Sequence, residues 1–164
     1  LINRITVKKF LGKVLNLENK VSHITNEFIT GIVHSRWSSH GEPLEKNAHP
    51  LLDYSNKIAV VHNGIIENYN ILKKYLIGKG HRFISNTDTE VFVHLIESNF
   101  TGYFLQTLIL SLNQCIGSFA FAIFHKYYSD NIIAAKKGFH LVIGIGDNEN
   151  FFLLAKVESS SLLG

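Results

Sequence analysis

Methionine is absent from all 164 residues, and cysteine occurs once, at Cys115. A chain that opens on Leu1 with no methionine anywhere is not a complete translation product as it stands, so an upstream segment is expected. A single cysteine excludes an internal disulfide framework and fits a reducing compartment, with the cytoplasm as the default. No apolar run approaches the length of a membrane span, and the opening LINRITVKKF has neither a long apolar core nor a cleavage signature. Concentrated positive charge is missing too. The formal net charge is +3, and basic residues adjoin only at Lys8/Lys9, Lys73/Lys74 and Lys136/Lys137. Nucleic-acid binding asks for a denser basic stripe with stacking aromatics, so neither nucleic acid nor a membrane is an expected partner.

What is present suffices for a core. Hydrophobic residues make up 46% and aromatics 12%, and no repeat, low-complexity tract or linker divides the chain, so residues 1–164 read as one domain. Val14, Leu17, Val21 and Ile24 are spaced for an amphipathic helix, and Ile32 and Val33 suggest a short strand. Ile58 to Val61 reads as a buried strand. Ile71, Leu72, Tyr75 and Leu76 form a helical stripe ended by Gly78 and Gly80, which implies a strand followed by a helix with Asn63 and Gly64 at the junction. Thr87 with Glu90 matches a capping box, opening a helix that buries Val91, Phe92, Leu95 and Ile96. A further helix is predicted from Tyr103 to Gln114. Four apolar runs follow, Ser118–Phe124, Asn131–Ala135, Leu141–Ile145 and Phe151–Ala155, and read as a strand meander.

The run HSRWSSHGEP, His34 to Pro43, sets Arg36, Trp37, Ser39 and His40 on one short loop. A guanidinium fork, an aromatic lid and hydroxyl donors suit closure over a small anionic or zwitterionic molecule, Arg36 and Ser39 meeting a carboxylate. The same residues also fit an Arg tied to a nearby acid with Trp37 packed inward. Asn63-Gly64 is by default a tight hairpin turn. If helix follows it instead, the Asn amide and the Gly N–H suit an oxyanion hole. Asp88, in the first turn of a helix, is favoured by the dipole with or without a ligand. Opposite Arg36 it would complete a clamp for both charges of an α-amino acid. His34, His40, His49 and His62 match neither a helical metal pair nor a zinc-finger spacing, so no metal or other cofactor is expected of them. Cys115 reads as a core residue.

Together, HSRWSSHGEP followed by NAHP, then VVHNGIIENYNILKKYL, then SNTDTEVFVHLIE, resemble the glutaminase domain of glucosamine-6-phosphate synthases, a class II glutamine amidotransferase. The likeness continues more weakly through GSFAFAIF, AAKKG and LVIGIG. It implies an α+β fold, the N-terminal-nucleophile hydrolase sandwich of four layers, αββα, with antiparallel sheets, here without its first strands. The implied chemistry is hydrolysis of glutamine to glutamate and ammonia. The implied partner is a sugar-isomerase domain of a parent polypeptide, itself a homo-oligomer, that turns fructose 6-phosphate into glucosamine 6-phosphate. By position, Arg36 and Ser39 would hold the glutamine carboxylate, and Asp88, with the Gly64 backbone, its ammonium. Asn63 and Gly64 would form the oxyanion hole, and Trp37 and His40 the closing loop.

One departure bears on catalysis. The family's nucleophile is a cysteine at the mature amino terminus, whereas this chain opens on Leu1, and Cys115 is internal with its nitrogen in a peptide bond. The nucleophile is therefore expected upstream, leaving the chain as given inactive, destabilised and prone to associate. Two smaller departures are Ser39 in place of the usual Thr and a tail, AKVESSSLLG, unlike the family's. The alternative is a non-catalytic module that keeps the amino-acid pocket without turnover.

Overall fold

The computed structural model describes residues 5–10, 12, 21, 30–35, 44–147 and 149–155. Strands β1 (Leu51–Leu52) and β2 (Ile58–Ile66) are followed by helices α1 (Tyr69–Gly78), α2 (Asp88–Asn99) and α3 (Phe104–Gln114). Strands β3 (Gly117–His125), β4 (Ile132–Lys137), β5 (His140–Ile145) and β6 (Asn150–Ala155) complete the order. All pairings are antiparallel. Among the described residues, strands β1 to β4 form one sheet in sequence order, while β5 and β6 pair only with each other. The meander expected from the apolar runs thus breaks after β4.

The turn between β1 and β2 is organised by one buried carboxylate. Asp53 accepts from the backbone N–H groups of Lys57 and Ile58 at 2.7 Å each, and from Ser55 N–H and hydroxyl. Alternation along β2 then separates two faces. Ile58, Val60 and Ile66 share a core with Phe119, Phe121 and Ile123 of β3 and with Val91, Phe92, Leu95 and Ile96 of α2. Phe92 and Phe121 stack at 4.0 Å in its centre. The opposite face carries the small buried residues Ala59, Val61, Ala120 and Ala122. There the β5–β6 hairpin is tied to the sheet by a bond from the Asn63 side chain to the Leu154 carbonyl. Helix, sheet, sheet is the layering among the described residues.

Helix α1 ends where Gly80 adopts φ of 93° and His81 N–H reaches back to Leu76 O at 3.0 Å, a glycine-dependent stop. Helix α2 starts as its capping pattern predicts, with the Thr87 hydroxyl accepting from Glu90 N–H at 3.4 Å. The reciprocal half differs. Instead of returning to Thr87, the Glu90 carboxylate accepts from Ile84 N–H at 2.8 Å and Ser85 N–H at 2.6 Å, holding the incoming loop. The helix expected around Val14 to Ile24 lies almost wholly outside the described residues. Ile32 and Val33 are described, and they form no strand.

Candidate functional site

The Asn63-Gly64 pair is neither a hairpin turn nor a strand-to-helix junction. It lies within β2, opposite Ala120 and Phe119 of β3, and the strand runs on to Ile66 before α1 begins at Tyr69. Continuous pairing with β3, a partner more than fifty residues away in sequence, overrides the local turn preference. Glycine is nonetheless required at 64. Its φ is 121°, and a Cβ there would strike the Ser118 carbonyl and lie 2.7 Å from Phe119 Cα. The backbones of β2 and β3 approach more closely here than side chains would permit.

Both ends of the Asn63 amide are engaged. Nδ2 donates to Leu154 O at 2.5 Å, and Oδ1 faces His34 Nε2 at 2.7 Å. A carbonyl can only accept, so the amide orientation is fixed and His34 Nε2 carries the proton. Asp88, buried at the start of α2, accepts from Ile66 N–H at 2.9 Å through Oδ2. The acidic helix start and the Asn-Gly pair therefore meet at one end of β2.

Between them runs a chain of buried polar groups that fixes its own protons. His62 N–H donates to His49 Nδ1 at 3.4 Å, which makes His49 a neutral ring protonated at Nε2. That nitrogen donates to Thr89 Oγ1 at 3.1 Å, and the Thr89 hydroxyl in turn donates to His62 Nδ1 at 3.0 Å. His62 is left with its proton on Nε2, a buried donor without an acceptor among the described residues. Its ring stacks on Phe121 at 4.6 Å. Burial lowers the His62 pKa to about 4 against the pull of Asp88, whose Oδ2 lies 3.8 Å from Nδ1; His34 pushes in the same direction as burial. At neutral pH His62 is uncharged.

His34, His49 and His62 gather beside Asn63, His34 and His49 with ring centroids 4.3 Å apart. Separations of 13 to 28 residues hid this cluster from any periodicity argument. Arg36, Trp37, Ser39 and His40 lie outside the described residues. Cys115 is buried as expected. Burial pushes its thiol pKa to about 12, and Sγ contacts Ser111 O at 3.4 Å, so it holds no reactive thiolate.

Residues 34–153 match the family described as the glutamine amidotransferase domain. Curated relatives named glutamine–fructose-6-phosphate aminotransferase [isomerizing] include those of Thermotoga maritima, 46% identical over 85% of this chain, and Bacteroides thetaiotaomicron, 48% identical over 92%. The chain spans about a quarter of their length, 23% and 25% respectively. Among solved structures, glutamine phosphoribosylpyrophosphate (PRPP) amidotransferase from B. subtilis is similar with a TM-score of 0.60 and 29% identity. That likeness covers 69% of this chain and 25% of that one. A second, described as the allosteric regulatory enzyme of purine biosynthesis, has a TM-score of 0.57 at 30% identity, covering 67% of this chain and 24% of its own.

Proposed function

The chain belongs to the glutamine amidotransferase domain family, and we propose that it is the glutamine-hydrolysing part of a glutamine–fructose-6-phosphate aminotransferase. Residues 1–164 would lie within that one domain, with a sugar-isomerase domain elsewhere on the parent polypeptide. The observation that carries the reading is the meeting of Asp88 with the Asn63-Gly64 strand, through Ile66 N–H. With Oδ2 held there, Asp88 Oδ1 is the oxygen offered to the glutamine ammonium. Arg36 and Ser39 take the carboxylate, and Trp37 and His40 close over the bound amino acid. A thiolate attacks the side-chain carbonyl, and the charge that develops on oxygen meets Asn63 Nδ2 and the Gly64 N–H. Collapse expels ammonia, the departing nitrogen taking up the proton that the thiol gave to the nucleophile's own α-amine, and water cleaves the thioester to glutamate. Cys115 is unsuited to this attack, being buried and held as a thiol. The nucleophile is assigned to an amino-terminal cysteine outside these residues.

Glutamate release by the full-length polypeptide tests the assignment. Asn63→Ala is expected to lower kcat by about 10²- to 10³-fold with little change in KM, and Asp88→Asn to act mainly on KM. Unchanged kinetics in both variants would sink it. A second reading, an amino-acid-binding module without turnover, is favoured by one observation: Asn63 Nδ2 is already donated to Leu154 O. Glutamate binding that depends on Arg36 and Asp88, with no release of ammonia from glutamine, selects that reading.

A further inference from the structure

Away from Asn63 and Asp88, three metal-ligating side chains converge beside the loop that joins α1 to α2. His81 follows the end of α1, while His94 and Glu97 sit one helical turn apart on α2. One ligand atom from each lies within 4.8 Å of the others. Glu97 Oε2 is 3.3 Å from His81 Nδ1 and 3.1 Å from His94 Nδ1. A tetrahedral zinc ion with bonds near 2.1 Å separates its ligand atoms by about 3.4 Å, so both carboxylate–imidazole edges already have the right length.

A second observation comes from the far side of His94. Its other nitrogen, Nε2, is buried without a hydrogen bond and faces Glu90 Oε1 at 3.6 Å. Metal-bound histidines direct their second N–H to a carboxylate, which fixes the ring and raises its basicity as a ligand. Glu90 is well held for that task by Ile84 N–H, Ser85 N–H and the Ser85 hydroxyl. The His94 ring is itself wedged between His81, at 5.2 Å, and the edge of Phe83, at 4.9 Å. Two carboxylates balance the charge of a divalent ion. Of the nearby cations, Lys73 lies over the Phe83 ring and Lys79 over Tyr75, while Lys9 is drawn to Glu45 first and Glu90 second. His81 and Glu97 are only partly buried, which gives an ion access and leaves a fourth position for water.

We propose that His81, His94 and Glu97 form a zinc-class divalent metal site, with Glu90 orienting His94, that clips the α1–α2 loop to the middle of α2. Two imidazoles and one carboxylate favour zinc over magnesium or calcium, which prefer all-oxygen shells. The site stands independently of the glutamine reading, because none of its residues takes part in that chemistry.

The test is titration of zinc chloride into the EDTA-treated, dialysed 164-residue chain at pH 7.5, followed by calorimetry and by the thermal midpoint. Cobalt(II) in parallel reports geometry through its visible absorption. Expected are one zinc per chain, a raised midpoint, a four-coordinate cobalt spectrum and no response to magnesium. His81→Ala and Glu97→Gln, both at partly exposed positions, are each expected to weaken zinc binding at least 10-fold, while His140→Ala leaves it unchanged. Circular dichroism checks that the variants are folded, and either folded variant suffices. No saturable binding below millimolar zinc, or binding that survives both substitutions, overturns the proposal. So does a cluster whose stability responds to protons and not to zinc.

Discussion

His62 is the residue whose environment makes the most definite claim about solution behaviour. Its folded pKa, about 4, lies below the ordinary histidine value of 6.5, so the folded state resists taking up a proton that the unfolded chain accepts. The associated stability is fully present above pH 6.5 and is lost progressively as pH falls through 4. For a ring this deeply buried the loss is on the order of 3 kcal/mol. Urea unfolding at pH 7 and pH 4.5 measures it, and replacing His62 with phenylalanine should flatten the difference. His94 works in the opposite sense. Burial lowers its pKa, but the hydrogen bond to Glu97 and the nearby carboxylates of Glu90 and Glu97 outweigh that and leave it raised. Its contribution is complete below 6.5 and fades as pH climbs through the raised value. The same change in free energy between pH 7 and 4.5 in the native chain and in the His62→Phe variant, in which the opposing contribution of His94 is common to both, contradicts the buried neutral state of His62. Nothing local in the sequence announces the proton chain through His49 and Thr89, because each link joins residues 13 to 40 positions apart.

At the scale of single elements, the start of α2 was legible and the end of β2 was not, for one physical reason. A helix cap is a contact between residues three apart, so Thr87 and Glu90 declare it by spacing alone. The conformation of Asn63-Gly64 is set by β3, and a dipeptide that favours a tight turn in isolation is held extended by a distant strand. The Glu90 side chain departs from the capping pattern for a similar reason, since it serves the preceding loop. That yields an ordering of two substitutions. Thr87→Ala removes the long bond from Glu90 N–H and the 2.9 Å bond between its hydroxyl and that of Ser85, whose hydroxyl keeps Glu90 as a partner, and should cost about 1 kcal/mol. Glu90→Gln keeps the shape but has only one oxygen for Ile84 N–H and Ser85 N–H, so its amide NH₂ must face a backbone donor. The expected cost is roughly 2–3 kcal/mol, larger than that of Thr87→Ala. Denaturation midpoints at constant slope check the order, and a Thr87 variant that falls further than the Glu90 variant reverses the account of the cap.

For the whole molecule, the expectation of helices against antiparallel sheets holds, and no described helix is long and apolar enough to cross a membrane. The division of labour between the sheets is less even than alternation along each strand suggests. The four-stranded sheet is buried against the helices on one face, while the β5–β6 hairpin leaves apolar side chains in solvent. Ile145 is 86% exposed, Leu153 59%, Ile143 58% and Phe151 56%. Among the described residues neither edge of this two-stranded ribbon is paired, and with apolar groups on it such a ribbon is a template for pairing with other chains. Periodicity could mark these runs as strands but could not say which sheet takes them, since that depends on where the chain turns after Gly138. The 164-residue chain is therefore expected to self-associate with rising concentration. Sedimentation velocity from about 5 to 100 µM, a range bracketing ordinary weak interfaces, reads it directly. Ile145→Lys and Leu153→Lys together place like charges along the hairpin and should return the chain to monomer without loss of the helical signal. A native chain that stays monomeric throughout that range shows that the exposed apolar surface is tolerated, and that the ribbon is held to the sheet more firmly than the Asn63–Leu154 bond alone implies.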